Sequence, residues 1–182
     1  MQEPPLDFEK LFPQPNKRSL NSALFNIAHS YARVGEMAGA AIFTMKDADF
    51  AAPAIMCKSF SIELLLKFFI VIAHHGVQTK ADLELMGVNL HGHLYSELYD
   101  RISPIYQKKI ADSFTTIVGR SPDELVFRKA LKDIGDEPFV FWRYIYEKSG
   151  TCNLDIALLD NVLTALGKAA ENERKRIESR AT

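Results

Sequence analysis

Two charged side chains inside an otherwise apolar segment are the first candidates for chemistry. Glu63 and Lys67 lie four residues apart within SFSIELLLKFFIVIAHH, residues 59–75, the most apolar run in the chain. Residues four apart share one face of a helix, so the carboxylate and the ammonium group are placed to form an ion pair. Two interpretations follow: a structural pair that braces a buried helix, or one wall of a binding site.

Four of the five histidines, His74, His75, His91 and His93, bracket a long connection between helical patterns. Histidine is both a proton donor near neutral pH and a common metal ligand. Neither the HH nor the HxH spacing is that of a zinc site, and no acidic ligand is fixed by spacing, so we predict no metal site. His93 remains a candidate for proton transfer, because at the start of a helix its ring can hydrogen-bond a backbone group or a carboxylate.

Arg143 lies in an aromatic segment, FWRYIYE, with Tyr144 beside it and Glu147 four residues later. An arginine among aromatic rings can stack on them and can bind a phosphate through two N–H groups. The alternative is an arginine paired with Glu63 or Glu147 inside the fold. The chain contains no glycine-rich phosphate loop, no nucleophile elbow and no HExxH motif, and we predict no cofactor.

Helices must position these side chains. The 182 residues are 47% hydrophobic and 25% charged, the balance of a globular protein with a sizeable core. A helix at about residues 53–75 would be apolar on nearly every face, which is typical of a buried central helix. The apolar run within it, residues 59–75, is too short and too interrupted by charge to span a bilayer. We predict an all-α, single-domain bundle of about five to six helices around this central helix.

The sequence as a whole divides into three parts. Residues 1–18 hold four of the eight prolines and predict an extended N-terminal arm. Residues 19–170 predict the helical bundle, and the polar residues 171–182, which lose the apolar face, predict a frayed C-terminal tail. A long amphipathic helix at about residues 20–45 carries small residues, among them Gly35, that allow close approach by another helix, which we expect to be the central one.

Shorter signals locate the remaining elements of the bundle. Serine–proline pairs and a capping box mark helix starts, and glycines mark helix ends. The segment DEPFVFWRYIYEKSG favours a short helix or turn, although its aromatic and β-branched residues also suit an extended segment. The predicted elements are a short helix at 81–86 within a long connection, helices opening at His93, Ser103-Pro104 and Ser121-Pro122, and a final helix from Asn153 or Asp155.

Charge and cysteine content narrow the class of protein. The net charge of −1 gives no global attraction to nucleic acid or to an anionic membrane. Cys57 and Cys152 have no partner at metal-type or redox-type spacing, which predicts small core side chains. The sequence MQEPPLDFEK has neither the basic nor the apolar region of a secretory signal, so we expect a cytoplasmic protein with reduced thiols.

Three segments together resemble the HEPN family of α-helical domains, which occur in prokaryotic defence, toxin–antitoxin and nucleotide-linked systems. They are SIELLLK at 61–67, GHLYSEL at 92–98 and FWRYIYE at 141–147, and their order and spacing also fit. The resemblance covers about residues 20–170. It implies a bundle of four to five helices that usually forms a homodimer, often with RNA or a nucleotide as ligand and a cognate partner protein.

The sequence departs from the ribonuclease members of that family, in which an arginine is followed after four to six residues by a histidine. Arg143 matches the arginine, but residues 148–150 are Lys, Ser and Gly. The leading expectation is therefore a non-catalytic binding module. The alternative is a divergent metal-independent ribonuclease, in which Arg143 holds the scissile phosphate, His93 transfers a proton and Lys67 neutralises developing charge. The expected polar cluster comprises Glu63, Lys67, His93, Arg143, Tyr144 and Glu147.

Overall fold

The computed structural model describes residues 19–74, 76–119, 124–135, 138–147 and 154–181. Within these residues the regular structure is entirely helical, which confirms the predicted all-α class. Five of the helices have ten or more residues. The α-helices are α1 Leu20–Thr44, α2 Ala51–Ile72, α3 Lys80–Leu85, α4 Tyr95–Asp100, α5 Pro104–Val118, α6 Glu124–Asp133, α7 Pro138–Arg143 and α8 Ile156–Ala181.

Helix α2 is the centre of the bundle, as its apolar sequence predicts. Fifteen of its 22 residues are buried, and they lie on all its faces because α1, α4, α7 and α8 pack around it. Pro53 lies in its first turn, where a missing backbone N–H costs no helical hydrogen bond. Among the described helices, none combines the length and the apolar composition that crossing a membrane requires.

Helices α1 and α2 approach each other closely at Gly35. A Cβ atom on this residue would lie 2.7 Å from Cγ of Lys58 and 3.0 Å from the carbonyl oxygen of Ala54. Gly39, one turn further along α1, has no atom within 4 Å of the corresponding position. The predicted close approach of the central helix is therefore confirmed, and it depends on Gly35 rather than on both glycines.

The C-terminal segment differs from its prediction. Residues 171–181 do not fray, because α8 continues to Ala181. Glu173 in this segment is 4% exposed and accepts hydrogen bonds from Lys109 of α5 and, at 2.7 Å, from Nε of Arg176. The guanidinium group of Arg174 lies 4.7 Å from the centroid of the Phe25 ring on α1. Ion pairs and a cation–π contact thus attach the C-terminal part of α8 to α1 and α5, although this part lacks a continuous apolar face.

Replacement of Glu173 by glutamine is expected to lower the free energy of unfolding by about 1–3 kcal/mol, because two charge-assisted hydrogen bonds lose their acceptor charge. Thermal unfolding followed by circular dichroism measures the change. Glu178→Gln on the same helix is the control, since Glu178 is 60% exposed where it pairs with Arg174. Equal melting temperatures for the two variants would show that the Glu173 network does not anchor α8.

The shorter elements follow the sequence with small shifts. Helix α3 begins and ends one residue earlier than the predicted 81–86. Helix α5 begins at Pro104 and ends before Gly119, whose φ of 68° is a left-handed conformation that glycine adopts readily because it has no Cβ atom. Helix α4 begins two residues after His93 rather than at it. Helix α7 is followed by a 3-10 turn at Ile145–Glu147, which confirms the short helix. The predicted arm at 1–18 and the capping residues 121–123 lie outside the described residues.

Candidate functional site

Three of the six predicted site residues meet at one carboxylate. Nζ of Lys67 donates a hydrogen bond to Oε1 of Glu63 at 2.7 Å, and Nδ1 of His93 lies 3.0 Å from Oε2 of the same side chain. The side chain of Glu63 is 2% exposed, that of Lys67 13% and that of His93 52%. A buried acid therefore holds a lysine and a histidine side by side at the edge of the core.

The local structure explains how Glu63 and His93 meet from 30 residues apart. Glu63 and Lys67 share one face of α2, as their spacing predicts. The hydroxyl of Tyr95, the first residue of α4, donates to the carbonyl oxygen of Ser59 at 2.5 Å. This bond fixes the start of α4 one turn from Glu63, so the residue two positions before Tyr95 comes within reach of the carboxylate.

Arg101 fixes the loop that carries His93. Its guanidinium group donates to the carbonyl oxygen of His91 at 2.8 Å, to that of Glu97 at 3.2 Å and to Oδ1 of Asn89 at 3.3 Å. The loop passes close to this group at Gly92, where φ is 100° and a Cβ would lie 3.2 Å from an Arg101 nitrogen. Arg101 is thus a positioning residue for His93. Sequence reasoning did not identify it because most of its bonds go to backbone carbonyls.

The contact between Glu63 and His93 is that of a carboxylate–imidazole pair. When Nδ1 carries the proton that is donated to Glu63, the second ring nitrogen, Nε2, is left as an acceptor on a half-exposed side chain. Lys67 balances the charge of the carboxylate from the other side. The arrangement can orient His93 for proton exchange or, with both ring nitrogens protonated, hold it as a donor for an anionic ligand.

The other three predicted residues lie on a different segment. Arg143 ends α7 and is exposed, with its guanidinium carbon 5.3 Å from the centroid of the Tyr144 ring. In the part of the chain that the structure describes, Arg143 makes no hydrogen bond or ion pair with Glu63 or Glu147, so the pairing alternative is wrong. Glu147 is exposed in the 3-10 turn. The predicted six-residue cluster is therefore a three-residue cluster and a separate aromatic segment.

The three-residue cluster and the aromatic segment are nevertheless connected through α2. Phe139 of α7 stacks on Phe60 with ring centroids 4.5 Å apart and an interplanar angle of 26°. Phe60, Glu63 and Lys67 are spaced i, i+3 and i+7, so they share one face of the helix. Helix α7 therefore docks on the same face of α2 that carries the ion cluster.

Of the other histidines, neither His74 nor His91 belongs to the cluster in the described part of the chain, and nor does Cys57. His74 is partly buried just after α2, and His91 is exposed in the loop, while His75 and Cys152 lie outside the described residues. Among the residues that the structure describes, no group of three or more His, Cys, Asp or Glu side chains is arranged to hold a metal ion. Cys57 is buried in α2, which raises the pKa of its thiol and confirms its predicted place in the core.

His29 is a titratable group that the sequence reasoning missed. It lies on α1 against Phe25, with ring centroids 4.2 Å apart, and its Nε2 atom is buried without a hydrogen-bond partner in the described residues. Burial is the largest influence on it and lowers its pKa below 6.5, with Arg174 acting in the same direction and Glu171 and Glu36 opposing. The sequence offers only a weak signal, a histidine one turn from an inward phenylalanine, because its charged neighbours on α8 are more than 140 positions away.

The lowered pKa of His29 predicts a specific pH dependence of stability. The unfolded chain, in which the pKa of histidine is about 6.5, takes up a proton before the folded protein does. The contribution of neutral His29 is therefore complete above this value and is lost as the pH falls from it towards the lower pKa of the folded state. Urea unfolding of wild type and His29→Gln at about pH 7.5 and about pH 5.5 measures the difference. A wild-type loss on acidification no larger than that of the variant would contradict the prediction.

The site thus consists of a lysine and a histidine held by one buried carboxylate on α2, and of an exposed arginine on α7, the helix that docks on the same face of α2. No family model, curated protein sequence or solved structure matches the chain.

Proposed function

We propose that the chain is a HEPN-like, non-catalytic binding module that acts in the cytoplasm and binds RNA or a nucleotide. Its place would be in a prokaryotic defence or toxin–antitoxin system, beside a cognate partner protein. The observation that supports this most directly is the shared carboxylate of Glu63, which holds Lys67 at 2.7 Å and His93 at 3.0 Å. Fixed nitrogen donors at the edge of a core are what a phosphate group requires.

The surroundings supply further groups suited to a nucleotide. Nζ of Lys67 carries three hydrogens and uses one on Glu63, so two are left for an anion. Arg143 is exposed on the ring of Tyr144, which is itself 36% exposed. Single-stranded nucleic acids bind through this combination of positive charge and aromatic stacking. The ligand is thus expected to place phosphate near Lys67 and His93 and a base on the aromatic segment.

Binding is tested by fluorescence anisotropy with a short single-stranded RNA and, separately, with a fluorescent nucleotide. The variants Arg143→Glu and Tyr144→Ala change exposed side chains and leave the core intact. Each is expected to weaken binding on the order of tenfold, the usual effect of losing one stacked base or one phosphate contact. Arg33→Glu, an exposed arginine on α1, is the matched charge control. Wild-type protein that binds neither ligand would refute the proposal.

A homodimer is part of this proposal, and the outward face of α1 supports it. The exposed fractions of Ile27, Val34 and Met37 are 47%, 50% and 70%, and that of Met45, the residue just after the helix, is 68%. Their spacings of seven, three and eight residues place them along one stripe, as in the seam of a helix pair. Without a second helix this stripe would leave four large apolar side chains in water.

The wild-type protein is accordingly expected to sediment as a dimer, and Val34→Asp combined with Met37→Asp as a monomer, because two charges per subunit would be buried in the seam. Sedimentation velocity over a range of concentrations measures both. Leu85→Asp, at a residue that is 88% exposed on α3, is the control for an added surface charge. A wild-type monomer at all concentrations would rule out the α1 seam as a dimer interface.

A divergent ribonuclease is the second candidate, and one observation favours it. The Glu63–His93 contact presents a ring nitrogen for proton transfer, and Arg143 is not paired with Glu63 or Glu147 in the described residues. A metal-free cleavage assay on single-stranded RNA, with His93→Ala and Arg143→Ala purified identically, separates the two functions. Cleavage that both substitutions abolish would support the enzyme. Absence of cleavage, or cleavage that survives both, leaves the binding module.

A further inference from the structure

The ring of His93 has one nitrogen that is bound and one that is not. Its Nδ1 atom lies 3.0 Å from Oε2 of Glu63, and its side chain is 52% exposed. The carboxylate of Glu63, paired with Lys67, accepts hydrogen bonds and donates none, so the proton of this contact belongs to Nδ1. In the neutral ring the lone pair is then on Nε2, which has no hydrogen-bond partner among the described residues. The basic nitrogen of a half-exposed imidazole is therefore free to react.

This arrangement sets His93 apart from the other described histidines. His91, two residues earlier in the same loop, is exposed, but its ring makes no hydrogen bond or ion pair with a carboxylate in the described part of the chain. His29 and His74 are partly buried, and neither ring is bound to a carboxylate of the described residues. The buried carboxylate behind the ring, rather than exposure alone, is thus the distinctive feature of His93.

The backbone on both sides of His93 is anchored. Arg101 donates to the carbonyl oxygen of His91 at 2.8 Å, and the hydroxyl of Tyr95 donates to the carbonyl oxygen of Ser59 at 2.5 Å. With Nδ1 bound to Glu63 as well, the ring has little rotational freedom to lose when it reacts. Such fixed orientation is what a nucleophilic side chain requires.

Glu63 favours a ring that has formed a covalent bond through Nε2. A substituent on Nε2, together with the proton on Nδ1, makes the imidazole ring positively charged. The carboxylate of Glu63 faces this charge at 3.0 Å, and solvent screens it little because the side chain is 2% exposed. A carboxylate that orients the histidine and balances its developing charge is a common way to activate such a nucleophile.

Lys67 indicates which electrophile would react. Its ammonium group donates one hydrogen to Oε1 of Glu63 at 2.7 Å and keeps two others. Lys67 and His93 are held on the two oxygens of one carboxylate, so the cation is a near neighbour of the ring. A phosphoryl group offers an electrophilic phosphorus to Nε2 and negatively charged oxygens to an ammonium group. The two side chains together therefore suit phosphoryl transfer to the histidine.

We propose that His93 is a phosphoryl acceptor, modified on Nε2 by a small acyl phosphate. The lone pair of Nε2 attacks phosphorus, and the bond between phosphorus and the acyl oxygen breaks. The electron pair of that bond leaves with the carboxylate product. Nδ1 keeps its proton, so the product is a cationic ring that carries a phosphoryl dianion, and no proton is exchanged with solvent. An acyl phosphate suits this site because its leaving group is a stable anion that needs no proton donor.

Radiolabelled acetyl phosphate, incubated with the purified full-length protein, tests the proposal. The wild type is expected to take up one phosphoryl group per chain, with a label that is lost in acid and kept in alkali, as a phosphorus–nitrogen bond requires. His93→Gln is expected to lose the label. His91→Gln, an exposed histidine of the same loop, is the matched control and is expected to keep it. A wild type without label, or a His93→Gln variant labelled like the wild type, would overturn the proposal.

Glu63→Gln tests the role of the carboxylate and is expected to slow labelling on the order of tenfold or more. Circular dichroism at the labelling temperature gives the folded fraction, by which the rate is corrected. An unchanged corrected rate would overturn the role given to Glu63.

Nuclear magnetic resonance of the imidazole nitrogens provides a readout that needs no variant. In the unmodified protein at about pH 8, where histidine is ordinarily neutral, the ring of His93 is expected to carry its proton on Nδ1. A ring protonated on Nε2 instead would have no lone pair to attack phosphorus and would overturn the proposal. Neither experiment contains RNA, so a failure of RNA binding leaves both results untouched.

Discussion

Replacement of Gly35 by valine is expected to lower the free energy of unfolding by about 3 kcal/mol or more. The first added atom would already lie 2.7 Å from Cγ of Lys58, 3.0 Å from the carbonyl oxygen of Ala54 and 3.1 Å from the backbone nitrogen of Lys58. Two of these three atoms belong to the backbone of α2, so a side-chain rotation cannot relieve the clash. Helices α1 and α2 must separate, and the core between them loses its packing.

Urea unfolding followed by circular dichroism measures this effect, and Gly39 provides the matched control. Alanine at Gly39 meets no atom within 4 Å and improves helix propensity, so its stability should be unchanged or higher by about 0.5–1 kcal/mol. Alanine at Gly35 should be destabilising despite the same gain in propensity. If the two alanine variants unfold at the same urea concentration, the close approach at Gly35 does not contribute to stability.

Replacement of Lys67 by methionine is also expected to lower the free energy of unfolding strongly, by about 3 kcal/mol. The carboxylate of Glu63, 2% exposed, would lose the ammonium partner that lies 2.7 Å away. The second partner, His93, compensates only in part because its side chain is half exposed and bonds to the other oxygen. Breaking a buried pair from one side is costly because the remaining charge is stranded.

A double variant separates this stranded charge from a loss of packing. Replacing Glu63 by leucine and Lys67 by methionine removes both charges, and the double variant should recover most of the stability that Lys67→Met loses. Glu63→Gln addresses the role of the cluster: a structural pair predicts a marked fall in melting temperature. A site role predicts melting near that of the wild type with altered ligand binding. Unchanged melting and unchanged binding together would contradict both roles.

The sequence predicts the parts of the fold that depend on local pattern. The burial of α2 follows from an apolar run whose only charges lie four residues apart, and the tight crossing of α1 follows from its small residues. The C-terminal half of α8 was wrongly predicted because its anchor is not local. Glu173 forms an ion pair with Lys109, which is 64 positions away in the sequence. The periodicity of apolar residues along a helix cannot predict such a pair.

In the candidate site too, some contacts follow from local sequence and others depend on tertiary packing. The contact of Glu63 with Lys67 follows from their spacing in one helix, and the contact with His93 depends on how α4 is docked by Tyr95. Arg143 could not be placed from sequence, because its position depends on the stacking of Phe139 on Phe60. His29 gives only a weak local sign of its burial, since the carboxylate and guanidinium groups that face it on α8 are brought there by tertiary packing.

The antiparallel pair of α1 and α2 also bears on the order of folding. These helices are adjacent in the chain and joined by a connection of six residues, so their contacts form with little loss of loop entropy. Helix α8 must close loops of about a hundred residues, such as that between Lys58 and Asp160. Local contacts form faster than distant ones, so we expect the α1–α2 hairpin to be the template on which α8 docks late. The contacts between α1 and α8, such as that of Arg174 with the Phe25 ring, are therefore expected to form late in folding, after the α1–α2 hairpin.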